Sequence, residues 1–308
     1  MLRISAWLIL MMSISNPTYA CDACGCSINA TGIGLMAIQR QSFWGLQFQS
    51  KTYQSKLKSS LGAKDYFNNF EAAFRFQWKP KFSLQLSIPY GLNIRNHPDG
   101  NARRNGFGDS RLMGNFILLN TRNTVGKYKV TVEMGSGIKL PNGMYDANIH
   151  THNNLPENFN IGNGSWAGLL SANVQLNTPT SGLVFITTGM VNLRTKEGYR
   201  FGNQWTGMGL YYKNFPVNKL NVKPFTGLQG EWIQQDQQLK NKLAVSTGGK
   251  GLFIPMGIQL SWNDWNLSGA YTLPLAEHYS NAEVSSQGKW NIQFSQLLNF
   301  KKNNKQKS

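Results

Sequence analysis

The chain of 308 residues carries 31 Lys and Arg against 14 Asp and Glu, a formal net charge of +17, yet only 15% of its residues are charged. An average soluble domain has roughly 25%, and here 12% aromatic residues and 31 glycines turn the composition towards all-β structure, away from a helical bundle and from disorder. Lys301, Lys302, Lys305 and Lys307 crowd the last eight residues, so part of the positive excess is a tail rather than a face for nucleic acid, which is not an expected partner.

Residues 1–20 read as a signal peptide: Arg3 gives the positive start, Ala6 to Ile14 the apolar run, and Thr18, Tyr19 and Ala20 a cleavage site. The mature chain then starts at Cys21. Residues 21–41 form a Cys-rich segment expected in the periplasm, with Cys21, Cys24 and Cys26 spaced C-x-x-C-x-C and no further cysteine in the chain. Three thiolates at that spacing suit a soft ion, Cu or Zn, although a complete zinc site needs a fourth ligand, for which Asp22 is the neighbour. Lipid attachment at Cys21 and a disulfide within the segment are the other readings; haem attachment is excluded because Gly25 stands where His is required. Residues 27–41 do not alternate, and serve either as a plug for a barrel or as a periplasmic leader.

No stretch beyond the signal has 18 consecutive apolar residues, which excludes a helical span but not a β-barrel. From residue 42 onward the apolar residues recur at every second position. The first weak run, Trp44 to Phe48, is followed by two clear ones, Tyr66 to Trp78 and Phe82 to Ile94. A weak run at Leu112 to Leu118 precedes clear runs at Tyr128 to Ile138 and Trp166 to Leu176. Leu183 to Leu193, Gln204 to Tyr212 and Leu220 to Trp232 are weaker, the first two with ambiguous faces. Leu252 to Trp262, Trp265 to Leu273 and Trp290 to Phe300 complete twelve expected strands, an even number as a single-chain bacterial barrel requires. A basic tail, 301–308, follows the barrel of residues 42–300.

Connections alternate between short turns, such as Lys79 to Lys81 and Asn263 to Asp264, and long polar segments such as Asn96 to Gly106, Pro141 to Gly164 and Asp236 to Ser246. That asymmetry predicts short periplasmic turns, longer outer loops and both termini in the periplasm. The expected fold is a transmembrane antiparallel up-and-down β-barrel embedded in the outer-membrane bilayer and its lipopolysaccharide.

The segments Cys21 to Cys26, Gly137-Ile138-Lys139-Leu140-Pro141-Asn142-Gly143, Gly162-Asn163-Gly164-Ser165-Trp166 and Gly198-Tyr199-Arg200-Phe201-Gly202-Asn203 give the chain its resemblance to bacterial outer-membrane barrels. More closely, it resembles a transporter-like family akin to the MetA-type barrels of phenol degradation. The resemblance implies a channel or transporter and, through Phe300 as terminal aromatic, recognition by the outer-membrane assembly machinery.

The wet faces carry the acids Glu71, Asp109, Glu133 and Glu231 and the bases Arg75, Arg95, Arg111, Lys129, Lys139 and Lys223. They are expected to line the lumen. One reading is a weakly anion-preferring pore for passive passage of a small solute, with charged rings that bias permeation. The other is a salt-bridged ladder that closes the lumen, leaving metal or redox binding to Cys21, Cys24 and Cys26. All four histidines, His97, His150, His152 and His278, fall in the expected outer loops, and no nucleophile and base share a strand, so no enzyme is expected.

Overall fold

The computed structural model describes residues 41–56, 63–98, 100–121, 128–153, 155–239, 242–244 and 246–299. The signal peptide, Cys21, Cys24, Cys26, the expected plug or leader, Phe300 and the basic tail lie outside the described residues. Strands run in chain order β1 (Ser42–Ser55), β2 (Lys64–Lys79), β3 (Phe82–His97), β4 (Gly100–Phe107), β5 (Arg111–Asn120), β6 (Lys129–Lys139) and β7 (Ala167–Asn177). After them come β8 (Ser181–Asn192), β9 (Gln204–Lys213), β10 (Phe215–Val217), β11 (Leu220–Ile233), β12 (Gly249–Trp262), β13 (Trp265–Tyr279) and β14 (Val284–Leu298).

All are antiparallel to their neighbours, and β14 pairs with β1 from Ser42↔Leu298 to Ser55↔Val284, which closes the sheet. β4 and β5 both pair with β3, and β9 and β10 both pair with β11, so each couple is one interrupted wall strand. Fourteen segments therefore make 14 − 2 = 12 wall strands, and closure leaves no free edge. Among the described residues each expected run overlaps one wall strand.

The alternation has the physical cause that the sequence suggests. On β2, Asp65, Phe67, Glu71 and Arg75 are buried inside, while Phe70, Phe74, Phe76 and Trp78 are exposed outside. Aromatic rings gather towards the two rims of the outer face. Trp44, Trp265 and Phe294 cluster near the short turns, with Trp265 and Phe294 stacked at 5.1 Å, and Tyr90 meets Phe107 edge-on at 5.3 Å nearer the long loops. Such amphipathic rings suit the boundary between hydrocarbon and headgroups.

Two expectations are corrected. In the stretch 96–106, read as an outer loop, the end of β3 pairs with β4, His97 opposite Gly100. His278 likewise lies on β13, opposite Lys250, rather than in a loop. The faces of β8 and β9 are ambiguous in sequence because both sides are apolar: Val184, Ile186, Leu210 and Tyr212 point inward and pack with Phe225 and Ala270, while Leu183, Phe185 and Tyr211 point outward.

Candidate functional site in the barrel lumen

Between β4 and β5 the ladder with β3 slips. Tyr90 faces Phe107 and Ser87 faces Arg111, so Ile88 and Pro89 oppose three residues, Gly108, Asp109 and Ser110. The Gly108 N–H still donates to the Pro89 carbonyl at 2.9 Å, but Pro89 has no N–H to return. The result is a bulge, a device that re-aims a side chain and marks functional rims, and here it carries the buried Asp109 carboxylate.

Asp109 gathers the loop that follows β6. Lys139 Nζ and the Asn163 N–H both donate to Oδ2 at 2.8 Å, and the Gly143 N–H donates to Oδ1 at 3.0 Å. A Cβ on Gly143 would lie 2.7 Å from the Asp109 nitrogen, so no larger residue fits this approach. Asn142 accepts from the Ser110 N–H at 2.8 Å and donates to its hydroxyl at 3.1 Å. The two glycine-bearing segments 137–143 and 162–166 thus meet at one carboxylate.

Held at both ends, the loop folds inward. Its short helical turn Ile149–Asn153, Leu155 and Phe159 bury Ile149, Leu155 and Phe159 against Tyr53, Phe67, Ile233, Phe253, Tyr279 and Val284 of the wall. Asn93 donates to the Phe159 carbonyl at 3.0 Å, and Asp146 and Asn160 exchange hydrogen bonds of 2.9 and 3.1 Å. An apolar constriction therefore occupies the long-loop mouth, as loops do in plugged barrels.

A second buried acid organises the far side of the same mouth. Asp236 accepts from the Tyr199 hydroxyl at 2.7 Å and the Gly202 N–H at 2.6 Å, and its own N–H donates to Thr247 at 3.0 Å. Burial pushes its carboxyl up to about 6, the Tyr199 and Gly202 hydrogen bonds opposing. Glu157, on the plug, is raised to about 7 by burial and then by the charges of Asp236, Asp146 and Glu197. The Tyr145 hydroxyl goes up to about 12 through burial and the Glu157 charge.

Below the constriction the lumen is polar and ion-paired. Arg75 binds Glu133 through both terminal nitrogens, and the two lie on β2 and β6, three strands apart around the wall. Arg111 of β5 binds Glu71 of β2. Level with the constriction, where Asp65 is in register with Tyr53 and Arg95 lies over the Phe159 ring, Arg95 and Asp65 of β3 and β2 form a bidentate pair at 2.7 and 2.6 Å. On the other side Glu231 of β11 accepts from Lys289 of β14 at 2.8 Å and from the Tyr279 hydroxyl of β13.

Of the residues expected to line the lumen, Glu71, Arg75, Arg95, Asp109, Arg111, Glu133, Lys139 and Glu231 are brought together in these pairs. Lys129 and Lys223 lie apart, half-buried near the short turns. Same-strand neighbours such as Glu71 and Arg75 share the inner face, yet each finds its partner on another strand. Asp65, Lys51 and Lys289 are inner-face charges that the sequence reading missed; Lys51 and Lys289 face each other in register, and period-two counting extended past Asp65 and back from Trp290 reaches two of the three. Among the described residues no group of three or more His, Cys, Asp or Glu side chains is placed to hold a metal ion.

The closed twelve-strand wall, apolar outside and polar within, decides the architecture. The fold is that of an outer-membrane β-barrel. It is similar to the structure of an outer membrane channel from Pseudomonas putida F1, with a TM-score of 0.64 and 12% identity over 85% of this chain and 97% of that one. It is also similar to the β domain of the Bordetella autotransporter BrkA, with a TM-score of 0.51 and 9% identity over 84% of this chain and all of that domain. No protein-family model matches the sequence, and no curated protein matches it.

Proposed function

We propose that the protein is an outer-membrane channel for passive passage of a small solute, gated at its outer mouth by the loop of residues 140–166. The observation that carries this reading is the placement of that loop: it enters the mouth as a separately folded element fastened by Asp109, instead of the wall strands closing on each other. Beneath it the inner face is polar and ion-paired, with pairs such as Arg75 and Glu133 buried between strands, so passage of a small polar solute requires the loop to leave the mouth and these pairs to part. The fold-level likeness to a Pseudomonas outer membrane channel and the residue-level resemblance to MetA-type barrels agree with it. The long loops then face outward among lipopolysaccharide, and both termini lie in the periplasm, where assembly machinery acts on the last strand.

The test is planar-bilayer recording of the full mature chain beside a variant in which residues 147–158 are replaced by a short Gly-Ser linker. Larger or more frequent conductance steps in the shortened variant support a gated channel. Silence from both proteins overturns the reading.

A further inference from the structure

The lipid-facing wall is not evenly covered. On the outer face of β8, β9 and β11 a notch of about 720 Å³ opens between Leu183, Phe185, Tyr211 and Leu228, with Gly207 and Gly209 as its floor. That volume lies within the range of about 300–1,000 Å³ of sites that bury a small ligand. Gly207 stands in register with Gly230 of β11. Neither has a positive φ, and a Cβ on either would meet no atom within 4 Å. Glycine weakens a strand unless the backbone or a neighbour demands it, so its use here fits a molecule that approaches the wall closely. Two residues towards the long-loop end, ~7 Å higher by strand rise, outward side chains cross the wall in register: Trp205, Trp232, Lys250 and His278, from β9 to β13. All four are exposed. The indoles suit the level of the headgroups, and Lys250 and His278 lie there without an ion-pair partner among the described residues. The acids beside them turn inward: Glu231 accepts from Lys289 at 2.8 Å, and Glu277 accepts from the Ser286 N–H at 2.9 Å.

We propose that this surface docks one molecule of lipid A, the multiply acylated, phosphorylated glycolipid of the outer leaflet. One acyl chain lies in the notch under Trp205 and Trp232, and a phosphate rests on Lys250 and His278. A lysine ammonium binds phosphate through charge-assisted hydrogen bonds, and a histidine ring nitrogen adds a donor. The notch and the cation are one to two strands apart, about 5–10 Å sideways, which suits a lipid that joins several chains and a phosphate on one headgroup. A free phosphate leaves the notch empty, and an uncharged hydrophobe leaves Lys250 without a counter-ion. The inference rests on the long-loop end facing outward, as in the channel reading, but not on passage through the lumen.

The test is native mass spectrometry of the full mature protein, refolded without lipid in detergent micelles and titrated with hexa-acylated bisphosphoryl lipid A, its dephosphorylated form and phosphatidylglycerol. One retained bisphosphoryl lipid A is expected, held at least tenfold more tightly than either comparison lipid. Gly207→Leu with Gly230→Leu fills the notch, and Lys250→Gln with His278→Gln removes the phosphate ligands. Each double variant is expected to weaken lipid A binding at least tenfold while keeping the folded barrel's mobility on unheated gels. If one variant fails to fold, the other carries the comparison. Phosphatidylglycerol bound as tightly as lipid A, indifference to the phosphates, or unchanged affinity in a folded variant would overturn the proposal. Lipid A binding by a protein that stays silent in planar bilayers would overturn the channel reading and leave this site standing, whereas conductance without lipid A binding does the reverse.

Discussion

Arg75 and Glu133 are 2% and 1% exposed, a charged pair withdrawn from water in the centre of the barrel. The desolvation of such a pair roughly cancels its attraction, but removing one partner strands the other and costs about 3–5 kcal/mol. Arg75→Met and Glu133→Leu are each expected to destabilise the barrel by about that much, and the double variant to return to within roughly 1 kcal/mol of the parent. Urea unfolding of the refolded protein in micelles checks this, and additive losses in the double variant would show that the two side chains act separately. Asp109 makes a different demand, because its three donors belong to Lys139, Gly143 and Asn163. Asp109→Asn keeps the shape and removes the charge, at a cost of about 1.5–3 kcal/mol for bonds to an ionised acceptor. The loss falls on the loop, so hydrogen exchange at Gly143 and Asn163 is expected to accelerate while the amides of β12 and β13 stay protected.

The loop of residues 140–166 is the element whose docking responds to pH. Its Glu157 titrates near 7 and the adjoining Asp236 near 6, against ordinary values of 4.5 and 3.8. Glu157 is raised in the docked state by burial and then by the Asp236 charge, so between about pH 4 and pH 7 the docked loop holds more protons than the undocked one, and docking weakens as pH rises through that window. Asp146 has the opposite sign, because the Asn148 N–H and Arg104 outweigh burial and hold its carboxyl low, with His152 beside it, but its contribution is essentially complete once pH passes the ordinary 3.8. Protection of the Phe159 and Asn160 amides, corrected for intrinsic exchange, should therefore be greater at pH 5 than at pH 8. Glu157→Gln is expected to remove most of the difference, and an unchanged pH profile in that variant would assign the effect elsewhere. The inward fold of this loop was the least legible feature of the sequence. Its anchors, Ile149, Leu155 and Phe159, are isolated apolar residues in a polar stretch with no period to betray them. β4 was missed for a related reason: Asn101-Ala102-Arg103-Arg104-Asn105 is polar on both faces because it rises above the apolar belt. The other strands were legible because one face meets hydrocarbon and the other water, and a period of two is all that requires. Most ion-pair partners were not, since Arg75–Glu133 and Lys289–Glu231 join strands three places apart and Arg111–Glu71 two, across a curved lumen, which no local pattern encodes.

At the scale of the whole molecule, the net charge of +17 is not concentrated in the lumen. Among the buried or ion-paired inner residues, Lys51, Arg75, Arg95, Arg111, Lys139 and Lys289 stand against Asp65, Glu71, Asp109, Glu133 and Glu231, leaving 6 − 5 = +1, to which Lys129 and Lys223 add two near the short turns. Open channels are thus expected to prefer anions weakly, and the reversal potential across a KCl gradient should shift towards chloride by only a few millivolts. Parity sets which ends of the wall lie together. Twelve strands return the chain to the end at which it enters, so β1 begins and β14 finishes beside the short turns, and the plugged mouth is the opposite end. An epitope inserted after Gly198, in the segment between β8 and β9, should be reached by antibody on intact cells. The same epitope between Asn263 and Asp264, the two-residue turn where Asn263 takes a positive φ of 49°, should be reached only after the outer membrane is permeabilised. Reversed labelling would place the Asp109-anchored loop on the inner side, and the gate would then answer to the periplasm rather than to the medium.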